Sequence, residues 1–139
     1  MGSTNYFNTF IEIAEDCAAQ SGQIPPIKEG KMSVANLQFE MLQENPYRFT
    51  SDDVLFSVFA MRKGIPDDKL DEQREIFFSR GQPCFRASPL TKTYGWGIHS
   101  NEEGKVAIYG VGTDMYEELV ADTSVVKKKA MRSKRAQKR

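Results

Sequence analysis

The residues able to do chemistry are concentrated in one stretch of the chain. Between Arg80 and Ser100 stand Arg80, Cys84, Arg86, Ser88, Lys92, Tyr94, Trp96 and His99, and His99 is the only histidine of the protein. Read as extended backbone, Cys84, Arg86 and Ser88 share one face by alternation. Tyr94, Trp96 and Ile98 share a face of the strand that follows, with Gly95, Gly97 and His99 on the other. Two glycines leave that second face flat, open to another backbone or to a ligand. The pattern predicts a shallow ligand site of Arg86, Lys92, Tyr94, Trp96 and His99. Arg86 and Lys92 would hold an anion, and His99 would be the titratable group. The plainer reading is core: Tyr94 and Trp96 pack, the glycines seat a helix, and His99 bonds locally. The sequence favours the plainer one.

Cys84 and His99 are also the candidates for thiol catalysis. A cysteine nucleophile needs a base within hydrogen-bond reach and usually a third group that orients the base. No cysteine-hydrolase signature surrounds Cys84. A small buried hydrophobe is the commoner role for it and for Cys17. Cys17, Cys84 and His99 have neither CxxC nor HxxxH spacing, so no metal site is expected. The pairs Asp52-Asp53, Asp67-Asp68 and Glu102-Glu103 read as helix starts and a solvated turn. There is no GxGxxG and no GxxxxGK(S/T), and Gly110-Val111-Gly112 alone is poor support for a phosphate turn. No cofactor is expected.

The C-terminus carries the strongest charge signal. Lys127, Lys128, Lys129, Arg132, Lys134, Arg135, Lys138 and Arg139 form a run without one acid. The chain holds 19 basic and 19 acidic residues, so the rest balances to −8 against this +8 run. Such a run seeks polyphosphates with a salt-dependent affinity, or folds back on its own acidic body. It lacks the interleaved aromatics that would stack on bases.

These residues need elements to position them. The 139 residues are 40% hydrophobic and 11% aromatic, which suits one globular domain. No apolar run approaches the ~20 residues that span a bilayer. The N-terminus lacks a basic and apolar leader, and two distant cysteines make no disulfide framework. A soluble, cytoplasmic domain over residues 1–126 is expected, with residues 127–139 as a mobile basic tail.

Period-two alternation predicts a strand over 6–13, and residues 16–33 read as a functional or mobile loop. Ser33 caps a helix to about Glu44, and Thr50 and Ser51 precede another over 52–63 that Gly64 ends. That second helix is apolar nearly all round, which places Phe56 and Phe59 in the core. A third helix is expected from Pro66 to Arg80. A short extended piece follows over 84–88, then a hairpin of 94–100 and 105–111. Thr113 or Asp114 caps a last helix. The order gives an α+β fold, with a small antiparallel sheet of N-terminal strand and C-terminal hairpin on three to four helices.

The stretches FNTFIEIAEDC, PYRFTSDDVLF, FFSRGQPCFRASPL, YGWGIHS and KAMRSKR together resemble a family of small bacterial proteins known only as a domain of unknown function. The resemblance spans nearly the whole chain and implies a bacterial source. It carries over no activity, cofactor or catalytic residue. On the residues alone, the expected function is a non-enzymatic binding or accessory module whose basic tail contacts nucleic acid or an acidic partner. The alternative is a small-molecule site, or an enzyme, on the Cys84–His99 region.

Overall fold

The alternating N-terminal run folds as β1, Thr9–Glu12, whose successive side chains face opposite ways. In this computed structural model, which describes residues 2–134, β1 lies inside a sheet. On one side it pairs antiparallel with β2, Trp96–Ser100, which pairs antiparallel with β3, Val106–Gly110. This is the expected N-terminal strand and hairpin.

Its other neighbour is a strand within the stretch expected to be a basic tail. Residues Val126–Lys129 form β4, parallel to β1 with Thr9 opposite Val126 and Glu12 opposite Lys129. Val126 N–H donates to the Asn8 carbonyl at 2.9 Å and Ala130 N–H to that of Glu12 at 2.9 Å. The boundary expected after residue 126 is therefore corrected, and regular structure continues through 129. A lysine-rich strand resembles a tail because sheet edges are protected by charge, not by apolar alternation. Among the described residues the sheet is mixed, in the order β3-β2-β1-β4.

The helices are α1, Val34–Glu44; α2, Ser51–Lys63; α3, Leu70–Ser79; α4, Pro89–Lys92; and α5, Asp114–Ala121. Ser33 with Asn36, and Thr50 with Asp53, form reciprocal capping boxes, and Gly64 ends α2 at φ +67°. The expected third helix is split, because Asp67–Lys69 forms a tight 3-10 turn before α3 begins. Residues 84–88 are not extended as expected. Phe85–Ala87 is a 3-10 turn, with Phe85 fully buried and Ser88 capping the proline-led α4.

The sheet is covered on both faces. Ile11, Ile98 and Val106 meet Leu42, Val54, Val58, Phe85 and Leu90 from α1, α2 and the α4 region. Phe10, on the opposite face, meets Tyr116 and Leu119 of α5. A Cβ on Gly97 would lie 2.4 Å from the Phe10 ring and 2.8 Å from that of Tyr116, so only glycine lets α5 sit down. A third cluster joins Phe56 and Ala60 of α2 to Phe78 of α3. No helix among the described residues is long and apolar enough to cross a membrane.

The segment between β1 and α1 lies on the sheet's end. Gln23 N–H donates to the Tyr94 carbonyl at 2.9 Å, and the Gln23 carbonyl accepts the Trp96 indole N–H at 2.8 Å. A Cβ on Gly95 would stand 2.6 Å from the Ser21 carbonyl oxygen. Gly95 thus takes the chain's own backbone, while Gly97 takes the two rings.

Two stability outcomes follow. Phe56 is buried as expected, whereas the Phe59 ring is only partly covered. Phe56→Ala should cost about 3–5 kcal/mol by thermal or denaturant unfolding, and Phe59→Ala clearly less. Truncation after Val125 removes β4 and should lower the melting temperature by roughly 5 °C or more. An unchanged melting temperature would show that β1 does not need this neighbour.

Candidate functional site

His99 alternates with Ile98, so it falls on the α5 face of the sheet. Its Nδ1 lies 2.7 Å from the Tyr47 hydroxyl, which lies 2.8 Å from the Tyr109 hydroxyl. Tyr47 reaches there from the α1–α2 connection, where its N–H donates to the Val106 carbonyl at 2.9 Å. It holds φ +58°, a left-handed conformation uncommon for a side chain of this size. With an imidazole protonated at Nε2, Tyr47 donates to Nδ1 and accepts from Tyr109, so the three groups form one hydrogen-bonded chain. Burial pushes the His99 pKa below its ordinary 6.5, with Asp122 opposing the shift, and burial pushes the Tyr47 phenol up. Neither Tyr47 nor Tyr109 was legible as a partner, since 52 residues separate Tyr47 from His99.

Cys84 lies on the other side of the sheet. Its sulfur is 3.3 Å from the Tyr6 hydroxyl, and it borders a groove with Val34 and Val58, which belong to the α1–α2 face. Burial raises the Tyr6 pKa, Cys84 adds to the rise, and Arg86 opposes it. Cys84 and His99 therefore do not form the nucleophile–base pair considered above. The other expected site residues are also dispersed. Arg86 donates from Nε to the Lys129 carbonyl at 2.7 Å, Lys92 ends α4, and Tyr94 and Trp96 pack on the larger core. Trp96 leans on Phe39, ring centroids 5.3 Å apart. The physical reason is twofold: residues 84–88 turn instead of extending, and alternation along β2 separates Trp96 from His99.

The structure assembles a different constellation around Cys84. A groove of 390 Å³ opens between α1, α2 and the turn before α4. Along α2, Leu55, Phe59, Arg62 and Lys63 recur at i, i+4, i+7 and i+8, so one stripe runs from apolar to cationic down this wall. Val34, Val58 and Phe77 complete the apolar lining. Gln38 lines the groove while only 3% exposed, and its Oε1 accepts the Ser88 hydroxyl at 2.6 Å. Ser88 in turn accepts the Leu90 N–H at 3.1 Å. One signal could have found Gln38: it interrupts the α1 apolar stripe four residues after Val34.

The basic run begins on the acidic body. β1 and β4 run parallel at a constant offset of 117 residues, and the offset persists beyond both strands. Lys129 Nζ is 3.9 Å from Glu12, and Arg132 is 3.4 Å from Glu15. The Ser133 and Lys134 N–H groups donate to the Asp16 carboxylate, each at 3.0 Å. These bonds, the one from Lys134 foremost, hold the Asp16 pKa below the ordinary carboxylate range. Lys127 donates to the Asp122 and Val125 carbonyls. Lys128 is exposed and meets no acid among the described residues. Arg135, Lys138 and Arg139 lie outside the described residues. Also among the described residues, no group of three His, Cys, Asp or Glu side chains is placed to hold a metal.

A mixed sheet with a deep helical layer on one face and one helix on the other defines a small α+β protein. One of its openings is the Gln38–Cys84 groove. The chain belongs to a family of unknown function (DUF6157), which it matches over residues 1–136. Neither a curated protein nor a solved structure matches it.

The His99 environment sets a pH dependence. The unfolded chain takes up the histidine proton near pH 6.5, and the folded chain only at lower pH. The stability that neutral His99 contributes is complete above that pH and is lost as pH falls below it. NMR titration should place the folded His99 pKa under 6.5, and His99→Gln should remove this part of the stability profile. A pKa at or above 6.5 would contradict a neutral, phenol-bonded ring.

Proposed function

We propose that the protein is a cytoplasmic, non-enzymatic module that binds a small molecule in the Gln38–Cys84 groove. The observation that carries this reading is the groove itself: an apolar wall, a polar floor and a cationic rim around 390 Å³. That size and mixture of linings are typical of small-molecule sites. Binding without turnover is supported by the position of the protein's one histidine on the opposite face from the groove's thiol. The cytoplasmic setting is supported by Cys17 and Cys84, both free thiols.

A second reading, contact with nucleic acid or another polyanion, draws support from Lys128, exposed on the sheet edge without an acid beside it among the described residues. It is the weaker one, because Lys129 and Arg132 already face Glu12 and Glu15. It requires binding of a labelled duplex that weakens steeply with salt.

The groove reading is tested with the neutral apolar dye N-phenyl-1-naphthylamine. The folded protein should enhance its fluorescence at a single site. Ala87→Phe and, separately, Leu55→Trp should abolish the enhancement while circular dichroism stays that of the parent. In a Cys17→Ser background, bound dye should slow alkylation of Cys84 by iodoacetamide. Dye binding that survives both filling variants, with no protection of Cys84, would place the site elsewhere.

A further inference from the structure

Resting on the reading of this groove as a binding site, we infer that its ligand is a small organic anion. The ligand has an apolar body, a carboxylate or similar charge at one end, and an uncharged oxygen acceptor placed deeper. Three features of the lining carry the assignment.

The first is a donor without a partner, on a residue that is otherwise almost wholly covered. Gln38 spends its Oε1 on the Ser88 hydroxyl, and its Nε2 has no hydrogen-bond partner among the described residues. Ser100 Oγ is the side-chain polar atom that is both sealed off and unpartnered there, so the Gln38 amide nitrogen retains an opening. With the residue 97% covered, the groove it lines is that opening. In this arrangement the Ser88 hydroxyl accepts from Leu90 and gives its proton to Oε1, which leaves Nε2 as the free end of the amide. A buried N–H of this kind selects a ligand with an acceptor in reach, since leaving it unpaired penalises any purely apolar occupant.

The second feature is charge. Arg62 and Lys63 are both exposed at the rim and form no ion pair among the described residues. No Asp or Glu among the described residues lines the groove. In a body that balances to −8 outside its basic run, an acid-free pocket with two cations is the exception. A helix C-terminus attracts cations, but it does not clear acids from the facing α1 and α4 walls.

The third feature is the order of the stripe on α2. Along α2, Leu55 and Phe59 precede Arg62 and Lys63, so this wall of the groove is apolar at one end and cationic at the other. The ligand's apolar body therefore lies against Leu55 and Phe59 with its charge toward Arg62 and Lys63. The requirement is for a keto acid, an acylated acid or a similar amphipathic monoanion.

Calorimetric titration of the full chain with three probes separates these requirements. The probes are para-acetylphenylbutanoate, its primary amide, and para-isopropylphenylbutanoate. The first carries both charge and acceptor, the second lacks the charge, and the third lacks the acceptor. The first should bind at least about tenfold more tightly than either of the others, as charge-assisted or buried hydrogen bonds allow. The double variant Arg62→Gln, Lys63→Gln should erase the preference for acid over amide while still binding the amide. Gln38→Met should erase the preference for ketone over isopropyl. Because that variant orphans the Ser88 hydroxyl and can unfold the chain, the isopropyl probe tests the same donor on the parent protein. Equal affinity for acid and amide would overturn the anion. Equal affinity for the acetyl and isopropyl acids would overturn the acceptor. If none of the three binds while the neutral dye does, the ligand class is wrong and the groove reading stands. If the dye fails as well, the groove reading itself falls.

Discussion

Phe10 and Ile11 are adjacent in sequence, and neither has any exposed surface. Their side chains point to opposite faces, so β1 has to be covered on both faces at once. Full burial of two such residues contributes roughly 1.5–3 kcal/mol each, and much of the architecture serves it. α1, α2 and α4 cover Ile11, while α5 covers Phe10 with the Tyr116 ring edge-on at 5.0 Å. Tyr116 also accepts the Ile13 N–H at 2.9 Å, and burial pushes its phenol up to about 12. The same alternation dictates β2. Gly97 and His99 must lie under α5, and Trp96 and Ile98 under the thicker layer. The separation of His99 from Cys84 is thus a consequence of how β1 is buried.

A strand buried on both faces also needs neighbours on both edges. β2 satisfies one edge and β4 the other, and the direction of β4 has an electrostatic logic. Parallel strands leave the sheet on the same side, so the acids after β1 run alongside the cations after β4. Glu12, Glu15 and Asp16 then meet Lys129, Arg132 and the Ser133–Lys134 backbone at one offset. An antiparallel β4 would carry its cations away from these acids. Exposed ion pairs contribute little individually, so the ladder bonds hold β4 while the charges select its direction and register.

Much of this fold was legible in the sequence, because caps, turns and periodicity are local. Ser33, Thr50 and Gly64 mark helix ends, and Asn101 to Gly104 marks the hairpin turn, from neighbours alone. Three features were not legible, each for a definable reason. β4 is written in lysine, which an edge strand tolerates and a tail also uses. Residues 84–88 alternate like a strand, yet burial of Phe85 and the proline at 89 draw them into a turn. Tyr47 reaches His99 only because its backbone adopts φ +58° after Pro46 and hooks over β3. The candidate site fared differently. From the reactive stretch Cys84 and Ser88 border the groove, whereas Arg86, Lys92, Tyr94, Trp96 and His99, the residues expected at a ligand site, do not. The decisive Gln38 was visible only as one polar residue on an apolar stripe.

The groove is where the demands on α2 leave a gap. Val54 and Val58 must face the sheet, and Phe56 and Ala60 must face α3, because both clusters depend on them. Helical geometry then gives Leu55, Phe59, Arg62 and Lys63 the sector between those two faces. The chain that crosses opposite this sector is the tight turn at Phe85–Ala87, too short to lay a helix over it. Collapse of α2 onto the turn would bury two cations with no acid to receive them, and ionised groups are not buried unpaired. Gln38 adds a second resistance, since an inward shift would seal its free amide proton without a partner. The opening is therefore kept by the two cations and by the Gln38 amide, the groups that a bound anion with an acceptor would answer.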